Sequence, residues 1–175
     1  PLDQLLEMIL RLDRFQGEPE IAHADYVHLE DSPARVILDL VDHVPMTSQD
    51  SFCDLGAGLG RVAILVHWLT GADAEGIEVQ PAYAAFARGL ADEFGLDRVR
   101  FQQSDAAEAD LSHGTVFYLF TPFKGRTLAR VWDRLRGEAD ARPITVCTYG
   151  AVSLSAAQQP WLAPAGGEPP HEFAL

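Results

Sequence analysis

Residues 51–66 constrain this chain more than any other stretch. They read Ser51-Phe52-Cys53-Asp54-Leu55-Gly56-Ala57-Gly58-Leu59-Gly60-Arg61-Val62-Ala63-Ile64-Leu65-Val66. A short β-prone run ends in an acid, three glycines follow at alternate positions, and an unbroken apolar run then has the composition of a helix. A strand that turns into a helix through glycines is the nucleotide-contacting corner of a doubly wound α/β domain. Glycine permits the tight turn and leaves no Cβ between a ligand and the main chain. The helix starting near Gly60 directs its free N–H groups and the positive end of its dipole at whatever binds there.

The glycine spacing separates two readings. Counted from Gly56 and Gly58, a dinucleotide fingerprint (Gly-x-Gly-x-x-Gly) requires its third glycine at position 61, where it allows close helix–strand packing. Position 61 is Arg, and the third glycine stands one place earlier, at Gly60. The form Asp-Leu-Gly-x-Gly-x-Gly resembles instead the first motif of class I S-adenosylmethionine (SAM) methyltransferases. That resemblance implies a loop of Asp54, Leu55, Gly56, Ala57, Gly58 and Gly60 around the amino-acid part of SAM, with Asp54 close to its ammonium end.

The likeness continues at three more strand ends. Ala74-Glu75-Gly76-Ile77-Glu78-Val79 reads as the second strand. Glu78, about 20 residues past the glycines, is placed to accept hydrogen bonds from both ribose hydroxyls, with Val79 beside it. Gln103-Ser104-Asp105-Ala106 ends the third strand, where the family usually places an acid near the adenine amine; Asp105, flanked by Ala106, takes that place. Leu119-Phe120-Thr121-Pro122-Phe123 ends the fourth, where the family's substrate-facing motif lies.

The 175 residues, 47% hydrophobic, suffice for one domain with a proper core. No apolar run approaches the roughly 18 residues of a membrane helix. No secretory signal pattern is visible, although the chain opens on Pro1 and not Met. The expectation is a cytoplasmic protein without a membrane partner. Cys53 and Cys147 each lie in a β-prone apolar run and read as buried thiols. Zinc would need more ligands at close spacing, so no metal is expected. Net charge is −13, and the 13 Lys and Arg are interspersed with 26 acids. Phosphate-backbone binding needs clustered basic residues, so nucleic acid is disfavoured as a partner. An acidic surface attracts cationic substrates and also confers solubility. No pattern sets an oligomeric state.

Along the chain, residues 2–15 show helical periodicity with one apolar face. Gln16-Gly17-Glu18-Pro19-Glu20 breaks it, and Tyr26-Val27-His28-Leu29-Glu30-Asp31 reads as loop. Ser32 followed by Pro33 reads as an N-cap with proline in the first turn of a helix that stops before Pro45. A loop with Glu, then Ser, then an apolar helix leading into Asp54-Leu55-Gly56 is similar to the non-SET histone-lysine methyltransferases, over residues 26–123. In that family a glutamate of this loop closes over the methionine end of SAM, and Glu30 occupies the matching place. The chain departs from the family where Tyr-Gly is replaced by His28-Leu29 and an Asn-rich motif by Thr121-Pro122-Phe123. It also lacks a basic nucleosome-binding extension. Residues 1–45 therefore read as N-terminal helices and a cofactor-closing loop, and residues 46–175 as the SAM-binding core of one structural domain.

Helices are expected from Pro81 through Phe94 and from Arg126 to Arg136, the latter ended by Gly137, with strands at residues 99–103, 115–120 and 144–149. The alternation predicts a mostly parallel sheet with right-handed crossovers. The family's sheet has seven strands in an αβα sandwich of Rossmann-like, doubly wound build, ending in an antiparallel hairpin. Trp161-Leu162 and Phe173-Ala174-Leu175, joined across residues 164–170, are the candidate hairpin strands, preceded by a turn near residues 156–159.

Methyl transfer from a sulfonium is a direct displacement, so the protein must align nucleophile, methyl carbon and sulfur and exclude water. Thr121, Pro122 and Phe123 are expected at the substrate mouth, with His28 and Tyr149 as possible bases or orienting groups. His43, His67 and His113 receive no role. The reading is a methyltransferase acting on a nitrogen or oxygen nucleophile of a small molecule or protein side chain, lysine being the specific candidate. Its rivals are a nicotinamide-dependent oxidoreductase and a non-catalytic SAM-binding domain.

Overall fold

The β-prone runs become five strands in the computed structural model, which describes residues 2–20 and 23–165. These are β1 (Ser51–Leu55), β2 (Asp73–Glu78), β3 (Val99–Gln103), β4 (Val116–Phe120) and β5 (Thr145–Tyr149). They pair in the order β3-β2-β1-β4-β5, every pair parallel. The chain runs outward through β2 and β3 and returns to β4 on the other flank of β1. The order therefore reverses between β1 and β4, and ligands of such sheets bind at the carboxyl ends beside that reversal. The fold is a Rossmann-like α/β sandwich. Among the described residues no sixth or seventh strand and no antiparallel strand is present. Trp161 and Leu162 lie in a turn, Trp161 edge-on to Trp132 with ring centres 6.4 Å apart. Residues 173–175 lie outside the described residues.

The helices are α1 (Leu2–Leu10), α2 (Ala34–His43), α3 (Arg61–Thr70), α4 (Pro81–Glu93), α5 (Gly125–Ala141) and α6 (Val152–Ala156). One apolar cluster joins Leu6, Leu10, Ile37, Leu40, Ile64 and Leu90 to Phe52 and Tyr118 of the sheet. The other joins Val131, Trp132 and Leu135 of α5 to Leu55, Ile77, Phe117 and Leu119. β4 is buried along nearly its whole length, as a strand covered on both faces must be. The crossover from β3 to β4 carries no helix. Ala106, Ala107, Ala109 and Leu111 bury themselves in coil, and its carbonyls are satisfied from α5: Arg134 donates to Ala109, and Arg142 to Leu111 at 2.8 Å and Ser112 at 3.1 Å. None of the described helices is long and apolar enough to cross a membrane.

Four sequence expectations change. The first helix stops at Leu10, because Arg11 turns left-handed (φ 55°) into a short 3-10 turn at Leu12–Arg14. That turn lets Phe15 pack edge-on against Tyr83 and Phe86 of α4, at 5.2 and 5.3 Å. Ser32 does not cap α2: its hydroxyl is 3.0 Å from that of buried Tyr118. The cap comes from α1, where the Asp3 carboxylate accepts the Ala34 N–H at 2.7 Å. Gly137 does not end α5, which continues to Ala141 and is held at its end by the Glu138–Arg142 pair at 3.1 Å. The turn expected near residues 156–159 is the end of α6, which begins earlier, at Val152.

Arg61, the residue that breaks the dinucleotide spacing, is 5% exposed. Its guanidinium pairs with Asp3 of α1 and lies 3.7 Å from Asp31 of the loop before α2. The Asp3 carboxyl is held below its ordinary range, chiefly by the Ala34 N–H, whereas burial raises that of Asp31 against the pull of Arg61. A buried guanidinium that loses its acids is costly, but both acids are partly exposed and so screened. Arg61→Ala is expected to destabilise the protein by about 2 kcal/mol, lowering the thermal midpoint by roughly 4–8 °C for a chain of this size. An unchanged midpoint in thermal unfolding would show that Arg61 does not fasten the N-terminal segment.

Candidate functional site

The glycine turn is shaped by three left-handed residues: Gly56 (φ 91°), Gly58 (φ 53°) and Gly60 (φ 88°). The N–H groups of Gly56 and Ala57 donate to the Ile77 carbonyl of β2, at 2.8 and 3.0 Å, so the turn folds over the neighbouring strand. A Cβ at Gly56 would collide with the Pro122 ring, and one at Gly58 would stand 2.5 Å from the Leu29 side chain. The turn therefore touches both the segment after β4 and the loop before α2. No L side chain fits either position without strain.

These segments enclose a cavity of about 490 Å³ at the carboxyl ends of the strands. Most of the expected residues meet there. His28 and Glu30 come from the loop before α2, Gly56 and Gly58 from the turn, and Glu78 and Val79 from the end of β2. Asp105 and Ala106 follow β3, and Thr121, Pro122 and Phe123 follow β4. Five expected residues do not line it. Asp54 is buried within β1 at 3% exposure, and Leu55 is buried in the core beyond it. Ala57 and Gly60 close the turn on each other, Gly60 N–H to Ala57 carbonyl at 2.9 Å. Tyr149 stands behind the wall, its ring packed on that of Phe120 with centres 5.1 Å apart.

Glu78 is the best-held polar group of the cavity. One carboxylate oxygen accepts the Gly58 N–H and the other the Gln80 N–H, both at 2.8 Å. The Val79 N–H also pulls on the carboxylate, whose remaining acceptor capacity is what a ribose hydroxyl would use. Burial raises its pKa, and those N–H groups pull it back. Asp54 has no such donors. Burial first, and the Glu78 charge second, push its carboxyl up to about 8.

Thr121 departs from expectation in a different way. It is left-handed (φ 40°), which is rare and strained for a β-branched residue. Its hydroxyl is engaged away from the mouth, donating to the Tyr149 carbonyl at 3.2 Å and accepting the Val152 N–H at 3.4 Å. Its contribution to the cavity is therefore the placement of Pro122 and Phe123.

The structure adds wall residues that the sequence reading passed over, above all Tyr26, Tyr83, His23 and Phe120. Tyr83 lies one turn after the β2 end, a position that the glycine-to-acid spacing already marks. Tyr26 had no periodic signal. It is bridged to Phe123, and the next residue's N–H donates to the Pro122 carbonyl at 3.2 Å. Burial, then the nearby Asp105 carboxylate, raises the Tyr26 hydroxyl pKa. Asp25 anchors the same loop by accepting the Thr127 N–H at the start of α5, at 3.2 Å. Glu30, Glu78 and Asp105 thus face the cavity, while no Lys or Arg lines it among the described residues.

Comparison with known proteins gives a consistent likeness. Residues 46–118 match the family model described as a methyltransferase domain. The chain is 30% identical to an RNA methyltransferase from Salinibacter ruber solved with S-adenosylhomocysteine, covering 69% of this chain and 73% of that one, with TM-score 0.53. A geranyl diphosphate C-methyltransferase from Streptomyces coelicolor A3(2), solved with Mg²⁺, geranyl-S-thiolodiphosphate and S-adenosylhomocysteine, is 16% identical. That likeness covers 89% of this chain and 67% of that one, with TM-score 0.55, and shows the fold alone. A geranyl diphosphate methyltransferase bound to SAM is 22% identical over 64% of this chain, which spans 45% of its length (TM-score 0.52). No curated protein matches the chain. Nothing in these likenesses carries the resemblance on to histone lysine.

The buried carboxyl of Asp54 sets a pH dependence. Its folded pKa lies above its unfolded value, so its stabilising contribution is complete below about pH 4 and is lost as pH rises through about 8. Unfolding midpoints of the ligand-free protein should decline between about pH 5 and pH 8.5, and Asp54→Asn should flatten that decline. An identical slope in wild type and variant would mean that Asp54 is ionised in the fold.

Proposed function

The chain belongs to the class I SAM-dependent methyltransferases, and from that premise we propose that SAM lies across the carboxyl ends of β1, β2 and β3 in this cavity. The methyl group passes to a nitrogen or oxygen nucleophile on a small molecule or protein side chain. SAM supplies a sulfonium-activated methyl group. Everything else is positioning by this chain. Glu78 carries the proposal: a buried carboxylate on the cavity wall, fixed by main-chain N–H groups, is an acceptor suited to ribose hydroxyls.

In this reading the bare main chain of Gly56 and Gly58 receives the amino-acid end, and the arriving ammonium group favours ionisation of the Asp54 carboxyl behind the turn. Leu55, Ala57 and Gly60 build that turn. Asp105 accepts from the adenine amine, with Val79 and Ala106 against the ring. Residues 1–45 close the site through Glu30 and the aromatic loop before it, and the chain from residue 46 supplies the core. Pro122 and Phe123, placed by Thr121, border the nucleophile's approach, and Tyr149 buttresses them through Phe120. His28, exposed at the rim, is the group placed to take a proton from a nucleophile that arrives protonated.

The lining supports an acceptor without phosphate, since carboxylates face the cavity and, among the described residues, no Lys or Arg does. A lysine side chain is the specific form favoured by Glu30 at the mouth. The RNA acted on by the Salinibacter relative is a polyanion, which this lining disfavours.

Calorimetric titration with SAM, S-adenosylhomocysteine and NADH should give binding of the two adenosyl ligands alone. Glu78→Ala removes two charge-assisted hydrogen bonds and is expected to weaken SAM binding about 100-fold. Gly58→Val places a branched side chain at positive φ against Leu29 and should weaken it comparably, with folded circular-dichroism spectra in both variants. Wild-type affinity in both variants removes the site assignment.

A further inference from the structure

A second cluster of reactive side chains lies outside this cavity. Cys53 and Glu75 are register partners on β1 and β2, so their side chains share one face of the sheet. His113, in the coil before β4, hydrogen-bonds the Glu75 carboxylate. One ligand atom from each of the three residues, sulfur, oxygen and nitrogen, lies within 4.8 Å of the others. The next residue explains the approach: a Cβ at Gly114 would stand 2.8 Å from the Cys53 sulfur, so only bare main chain lets this coil lie against the thiol. We propose that Cys53, Glu75 and His113 form a binding site for a zinc-class divalent cation.

The donor set selects the ion. Thiolate and imidazole exclude calcium and magnesium, which take oxygen ligands, and one sulfur, one nitrogen and one carboxylate oxygen form a set that zinc accepts. Ligand atoms around a tetrahedral zinc sit roughly 3.5 Å apart. Cys53 is fixed in the core, whereas the His113 side chain is 47% exposed and that of Glu75 17%, so the movable partners open to admit the ion. Glu75 and His113, though not Cys53, also border a cavity of about 240 Å³ near the amino ends of β1, β2 and β3, shared with Asp73, Asp97, Arg98 and Arg100, so an ion reaches the thiol by parting the His113–Glu75 contact. Binding breaks the Cys53 S–H bond and forms a metal–sulfur bond, and the proton leaves to solvent. Glu75 binds as carboxylate and His113 as neutral imidazole. The ion would tie β1, β2 and the coil before β4 together on the same strand that leads into the glycine turn.

The test uses the full chain freed of metal. Co²⁺ titration should show one equivalent bound with a thiolate-to-cobalt charge-transfer band, and Zn²⁺ should displace it and raise the thermal midpoint. His113→Ala and Glu75→Gln, at partly exposed positions, should each lower the Co²⁺ affinity at least tenfold and abolish the zinc-dependent rise in midpoint. SAM affinity of His113→Ala should stay at the wild-type value, which confirms a folded protein. Absence of the charge-transfer band in the wild type, or wild-type Co²⁺ affinity in both variants, overturns the proposal and leaves a plain His–Glu pair beside a buried thiol.

Discussion

The site depends on one buried carboxylate. Glu78 ends β2, yet its oxygens hold the N–H of Gly58, 20 residues earlier, and that of Gln80. A carboxylate taken out of water is expensive unless it finds donors. Here the donors are main-chain groups, one in the glycine turn and one just ahead of α4. Each side therefore meets the other's need, and the turn is locked to the strand beside it. The parallel register of β1 and β2, with Leu55 opposite Ile77, brings the two within reach. The same carboxylate raises the cost of ionising Asp54, so the two acids of the site are set apart in protonation.

The N-terminal segment is part of that architecture. Its acids complete helices that have no caps of their own: Asp3 accepts from α2 and Asp25 from α5. Arg61 links Asp3 and Asp31 to the first turn of α3. The loop over the cavity is thereby pinned at both ends, while His28, Leu29 and Glu30 between them stay exposed.

Much of this was legible in the sequence because it rests on local chemistry. Three alternate glycines, an acid ahead of them and an acid near the end of the next strand fix a strand–turn–helix corner, and the described strands fall where the apolar runs predicted. Long-range partnerships were not legible. Ser32 looks like a cap, but its hydroxyl went to a buried tyrosine, and nothing near Ala34 in sequence announces Asp3. Gly137 looks like a helix end, but arginine contacts to distant carbonyls carried α5 past it. Arg61 read only as a departure from one motif, whereas in the structure it is a fastening. Thr121 illustrates the limit within the site itself, since residue type predicted a polar group at the mouth and the backbone turned its hydroxyl elsewhere.

The remote caps also bear on the order in which the molecule can take shape. The contacts that finish α2 and α5 span 31 and 102 residues, and the Ser32–Tyr118 pair spans 86. Loops of that length close at an entropic cost that local turns do not carry. Residues 2–31 are synthesised before the sheet and α5, but they can settle only once those elements exist to receive them. Until then the wall of the cavity that they supply is missing, so completion of the cavity waits on contacts that are distant in sequence.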